Sequence, residues 1–190
     1  MPGGKRLLMI VGAATPPGRL AAAVSFAAGT VKDGAVDTLN LAETPVEICD
    51  GRPLEKYDAN TRQAVERIAG ARAVLIAAPV YRASYPGALK NLLDLAPVEA
   101  LQAKPVGIVA MGGSPHHFLG VDWQLREVLT WFGALVAPTS VYITGGDFKD
   151  GQLASEGARQ DLAALVRTLL TLGRLDASSL GPKPLAAKFT

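Results

Sequence analysis

The chain has 190 residues, 49% of them hydrophobic, with a formal charge of +2, which suits one domain with a substantial core rather than a disordered segment. No stripe of Lys/Arg interleaved with aromatics supports nucleic-acid binding, and no apolar run approaches the roughly twenty residues that cross a bilayer. The lone cysteine, Cys49, offers no disulfide framework and suits a reducing, cytoplasmic setting.

Residues 7–12 read as a first, central strand, too short and too soon ended by prolines to be a signal peptide. A Pro/Gly turn then leads into a helix over 19–28. Residues 36–41 form a second strand whose alternating polar positions suggest an edge. Prolines and charges make 42–57 a loop, in which Cys49 beside Ile48 reads as a small packing residue. A helix follows over 58–70 with Asp58 as its N-cap. Next come a buried strand at 73–78, a helix at 87–95, and a fourth strand at 105–111 that ends in Gly112, Gly113 and Ser114. The spacing predicts a helix over 118–135, a fifth strand within 136–144, and a last helix over 155–172. That helix carries Leu162, Leu165, Leu169 and Leu172 at helical spacing.

This alternation predicts an α/β fold, a doubly wound five-stranded parallel sheet in the flavodoxin-like order 2-1-3-4-5, with helices on both faces. Residues 1–176 form the expected single domain, and 177–190 a flexible or subunit-contacting tail. In such a sheet, ligands bind beyond the carboxyl ends of the strands, where the strand order reverses between the first and third.

Three loops lie at that edge. The first, 12–18, feeds a helix N-terminus, a natural phosphate cradle, and Arg19 is either a charged partner for a phosphate or a surface arginine near a turn. The second, 79–87, is rich in proline and tyrosine. It suits a flat aromatic ligand, or is an ordinary strand-to-helix connection with packed aromatics. The third holds Gly112, Gly113 and Ser114, whose glycines permit close backbone approach, followed by His116 and His117. Two adjacent histidines without a third ligand at suitable spacing make a poor metal site, and they read as lining the entrance or capping the next helix.

From Ala78 to Asp94 the sequence carries Pro79, Tyr81, Ser84, Pro86, Gly87, Leu89, Lys90, Asn91, Leu93 and Asp94. This pattern resembles the signature of the NADPH-dependent FMN reductase family, within the flavodoxin-like superfamily. The resemblance runs from about residue 7 to about 176 and is nearest to the alkanesulfonate-utilisation type. It implies hydride transfer from NADPH or NADH to FMN, with reduced flavin supplied to a partner monooxygenase. Two alternatives are a flavin-bound reductase of quinones, azo dyes or chromate, and a flavodoxin-like electron carrier without turnover.

On this resemblance Thr15, Pro17, Gly18 and Arg19 meet the flavin phosphate. Pro79, Val80, Tyr81, Arg82, Ser84, Tyr85 and Gly87 hold the ring, and Gly112, Gly113 and Ser114 flank it. Lys90 and Asn91 read as structural or interfacial. The chain departs from the family in its first loop, where Ala13, Leu20 and Ala21 stand in place of serine hydroxyls and a second arginine. Weak, labile flavin binding is the expected consequence. Trp123 matches an inserted aromatic that, in the two-component reductases, gives the helix a π-type irregularity; a buried subunit-interface aromatic is the other reading. A homodimer or homotetramer is expected. No catalytic side chain is, because the cofactors carry the hydride chemistry.

Overall fold

The computed structural model describes residues 7–16, 18–32, 36–175, 181, 182 and 184. Five parallel strands form the body of the sheet: β1 (Leu7–Val11), β2 (Val36–Asn40), β3 (Ala73–Pro79), β4 (Pro105–Gly112) and β5 (Leu135–Val136). They lie in the order β2-β1-β3-β4-β5, and β6 (Val141–Thr144) also pairs with β4. The order is as expected, with β2 at the edge, but two short strands share the fifth position. The reason sits between them. Pro138 has no N–H for a ladder, and its carbonyl and that of Ala137 accept from Arg126 instead.

Alternation along the strands sorts side chains to the two faces. Leu8, Ile10, Val74, Ile76 and Ile108 pack against α2 (Ala59–Gly70), α3 (Gly87–Leu95) and α4 (Leu119–Trp131). Leu7, Met9, Leu75, Val109 and Ile143 pack against α1 (Arg19–Gly29) and α5 (Glu156–Leu172). Both layers need close approach. At Gly107 a Cβ would stand 2.9 Å from Leu169 Cδ1, so glycine lets α5 lie flat on β4.

The helix boundaries follow local chemistry. Asp58 caps α2 by accepting from the Thr61 amide, and Ser155 caps α5 by accepting from Ala158. The expected helix over 118–135 ends sooner, at Trp131, because Gly133 adopts φ +66. The Gly133 amide bonds to the Thr130 carbonyl and the Ala134 amide to that of Leu129, a Schellman closure. A small hairpin, β7 (Phe148–Lys149) and β8 (Gln152–Leu153), turns through Asp150 and Gly151, both at positive φ. The expected tail over 177–190 lies outside the described residues except for 181, 182 and 184; Pro184 rests beside Gly133.

Candidate flavin site

Beyond the ends of β1, β3 and β4, at the reversal of strand order, a pocket of about 170 Å³ opens between the first and second loops. The sequence-predicted residues Thr15, Gly18, Arg19 and Pro79 line it together with Tyr81. Pro17 lies outside the described residues. The pocket also takes in Val11 and Met111, which sequence reasoning had placed in strands rather than in the site. Both belong to the same sheet face as Met9 and Val109, and that alternation is the signal that could have found them. Ala13, Leu20 and Ala21, the positions where hydroxyls are missing, are lining residues too.

The end of this pocket at the start of α1 is open and electropositive. Gly18 precedes α1 without any side-chain cap, and no acidic residue occupies the first turn. The helix therefore presents unpaired amides and the positive end of its dipole. No carboxylate lines the pocket among the described residues. Arg19 makes no hydrogen bond or ion pair with a described residue. Its Nη1 lies 3.0 Å from the place a Cβ would take on Gly145, so the turn after β6 leaves room for the guanidinium.

The end formed by the loop after β3 is built differently. The Val80 amide donates to the Met111 carbonyl at 2.8 Å, which extends the β3–β4 pairing by one bond. The chain then reverses in a two-residue turn. The Tyr81 amide donates to the Ser84 carbonyl at 2.7 Å, and the Ser84 amide to the Tyr81 carbonyl at 3.0 Å. Arg82 and Ala83 at its tip have φ +51 and +62, the geometry of a type I′ turn without the Gly or Asn it usually takes. Each such non-glycine residue costs roughly 1–3 kcal/mol and persists only where its surroundings hold it.

Those surroundings come from α4. Gln124 Nε2 donates to the Ala83 carbonyl at 3.0 Å, and Gln124 Oε1 accepts from the Ser84 hydroxyl. Gly120 lets α4 come close, since a Cβ there would stand 3.0 Å from the Ala83 oxygen. Tyr81 is 47% exposed at the pocket rim, while half-buried Tyr85 packs on the core and its phenol is pushed up by burial. At Gly87 a side chain would meet open space within the protein.

In the third loop, Gly112 is fixed by Tyr142. A Cβ at Gly112 would stand 1.8 Å from Tyr142 Oη, which donates to the Ser114 carbonyl at 2.5 Å. Burial pushes the Tyr142 phenol up, so it keeps its proton. Gly113 is open on its side-chain face. Val80, Arg82, Ser84, Tyr85, Gly87, Gly112, Gly113 and Ser114, expected around the flavin, do not line this pocket. His116 and His117 sit exposed in a short 3-10 turn, and they do not cap α4, whose start at Phe118 has no side-chain cap.

Two further expectations meet the structure here. Helix α4 is α-helical from Leu119 to Trp131, so the π-type irregularity anticipated at Trp123 does not occur. Trp123 is 63% exposed on that regular helix. Asn91 is structural, as expected: its amide brackets the second-strand loop by donating to the Glu47 carbonyl at 2.9 Å and accepting from the Cys49 amide at 2.8 Å. Lys90 pairs with Asp94 at 2.6 Å, and Cys49 packs in a small satellite cluster.

Known proteins resemble this chain in sequence and fold. The family model described as NADPH-dependent FMN reductase matches residues 5–149, three loops included. The chain belongs to the NADPH-dependent FMN reductase family. An NAD(P)H-dependent FAD/FMN reductase from Geobacillus thermodenitrificans (strain NG80-2) is 37% identical over 68% of this chain and 71% of its own length. An NADH-dependent FMN reductase from Pseudomonas fluorescens (strain Pf0-1) is 44% identical over 58% of this chain; the match spans 60% of that relative. An archaeal flavodoxin shares the flavodoxin-like fold, with TM-score 0.61 and 11% identity over 89% of this chain and 99% of its own.

Proposed function

We propose that this FMN reductase family member passes hydride from NAD(P)H to FMN at the β1–β3 switch point and releases reduced FMN to a flavin-dependent monooxygenase in the cytoplasm. One observation carries the reading. The pocket joins an uncapped helix N-terminus, with no carboxylate lining it and no partner for Arg19 among the described residues, to a stiff proline–tyrosine loop. The first feature suits a phosphate and the second a flat ring. The residues present therefore fit FMN.

When bound, FMN supplies the hydride acceptor. The chain supplies the rest. Amides of the α1 first turn and the Arg19 guanidinium hold the phosphate; Thr15 is the one hydroxyl among the side chains lining the phosphate end. The loop from Pro79 to Gly87, with Gly112, Gly113 and Ser114, covers and orients the ring, which keeps water from the transferring atoms. The few side-chain donors suit a flavin that binds, reacts and leaves, because release must not limit turnover.

Assembly into a homodimer or homotetramer is supported by the α3–α4 face. There a groove of about 500 Å³ lies beside exposed Trp131, with exposed Trp123 higher on the same helix. Patches of this kind on a surface mark interaction sites. The test is to purify the protein and dialyse it extensively. Visible absorbance, mass in solution, and NADH or NADPH oxidation with and without added FMN are then measured. The expected result is a colourless oligomer whose oxidation depends on added FMN. A stoichiometric yellow protein that resists dialysis overturns flavin release in favour of a resident-flavin reductase of quinones, azo dyes or chromate. Bound flavin without steady-state oxidation points to an electron carrier.

A further inference from the structure

We infer that Gln124 is a positioning residue for the flavin ring, acting from α4 on the loop that follows β3. The inference rests on the reading of that loop as the ring site. The turn 81–84 places two successive non-glycine residues, Arg82 and Ala83, at positive φ, and nothing in their own sequence favours it. A conformation disfavoured locally is held from outside. Gln124 supplies two bonds from one amide: its Nε2 reaches the Ala83 carbonyl at 3.0 Å, and its Oε1 takes the Ser84 hydroxyl. The first bond fixes the peptide plane after Ala83, and the second fixes the residue that closes the turn. Close packing of Gly120 against Ala83 brings the helix within reach.

Gln124 does not itself line the pocket. Its effect on flavin therefore passes through the turn alone. Releasing the turn lets Arg82 and Ala83 relax toward negative φ, and that moves Tyr81, which lines the pocket. FMN and riboflavin carry the same ring, so both lose affinity together. This separates Gln124 from Arg19, which acts on the phosphate only. The position of Gln124 beside Trp123 also joins the ring loop to the exposed face of α4.

The experiment compares wild type with Gln124→Ala, Gln124→Glu, Ser84→Ala and the Gln124→Ala/Ser84→Ala double variant. Each is titrated with FMN and with riboflavin by fluorescence, assayed for KM and kcat, and melted thermally. Gln124→Ala is expected to raise Kd for both flavins roughly tenfold, the loss of one to two hydrogen bonds, with only a small drop in melting temperature because the released strain offsets part of that loss, and with kcat kept at saturating FMN. Gln124→Glu keeps an acceptor for Ser84 but sets a carboxylate oxygen against the Ala83 carbonyl, so it should lose affinity too. Ser84→Ala should lose less, and the double variant no more than Gln124→Ala. Unchanged affinity for both flavins in Gln124→Ala overturns the inference, as does a loss of melting temperature with no selective rise in KM. Should Gln124→Ala fail to fold, Gln124→Glu and Ser84→Ala decide on the same criteria. A wild type that binds neither flavin overturns the ring-site reading itself, whereas a wild type that binds both alongside an unaffected Gln124→Ala overturns only the role of Gln124.

Discussion

The two loops that flank the pocket are built on opposite principles. The loop after β1 is held by little: Gly18 gives α1 no side-chain cap, and Arg19 has no partner among the described residues. The loop after β3 is over-determined, with a strained turn, a strand bond from Val80 to Met111 and two bonds from Gln124. A phosphate finds its partners in amides and a charged side chain, which need no preset shape. A ring is recognised by surface and orientation, which do. The site therefore has a rigid end and a permissive end, and affinity and orientation can be altered separately.

The sharpest way to break the rigid end is Gly112→Ala. Its Cβ would overlap Tyr142 Oη, push that ring aside and release the Ser114 carbonyl. Overpacking and a lost hydrogen bond together predict a destabilisation of about 2–4 kcal/mol, with flavin binding impaired. Chemical denaturation with and without FMN measures both. A variant as stable as wild type, with normal flavin titration, shows that Tyr142 yields without consequence.

At the permissive end, Arg19→Ala is expected to weaken FMN binding by about 1.5–3 kcal/mol, the range for a hydrogen bond to a charged group, while stability and riboflavin binding hold. Paired titrations decide it: equal losses for the two flavins would remove Arg19 from the phosphate and place it at the ring.

The smallest expected effect lies at the amino ends of the strands, opposite the pocket. Lys104 reaches the Ala69 carbonyl at 2.9 Å, and its second acceptor is the Ile68 carbonyl. Burial lowers its pKa from 10.5 to about 8, while the acceptors at the end of α2 oppose that shift. A folded pKa below the unfolded one means that the unfolded chain binds more protons between the two values. Stability should rise as pH climbs from about 8 toward 10.5, and the burden of the buried charge is complete below that window. Denaturant midpoints across this range should show the slope in wild type and lose it in Lys104→Met. A flat wild-type profile would mean that the two carbonyls fully compensate burial. Because no flavin group is involved, FMN titration should not follow the Lys104 change, which separates stability from binding in the comparison above.

Strand order, both helix layers and the location of the pocket were legible in the sequence because each rests on local periodicity. Leu7 to Val11 and Ala73 to Pro79 bury continuous apolar runs, and Asp58 and Ser155 cap where their chemistry predicts. The family resemblance pointed to Thr15, Gly18, Arg19, Pro79 and Tyr81, which the fold brings together around one pocket. Where the reading failed, a local signal had been passed over or none existed. Gly133 announced the end of α4, and Pro138 the break in the fifth strand position. The two turns of type I′ geometry make the division plain. Asp150 and Gly151, between β7 and β8, are residues that tolerate positive φ, so that hairpin was written in the sequence. Arg82 and Ala83 adopt the same backbone with no residue that favours it. Their conformation is decided by Gln124 and by the close passage of Gly120, some forty positions away in the chain. The sequence by itself determined the scaffold and the chemistry of the pocket, because period, caps and residue type act locally. The shape of the loop after β3 was decided only by tertiary structure, because the bonds that outweigh its strain come from another helix.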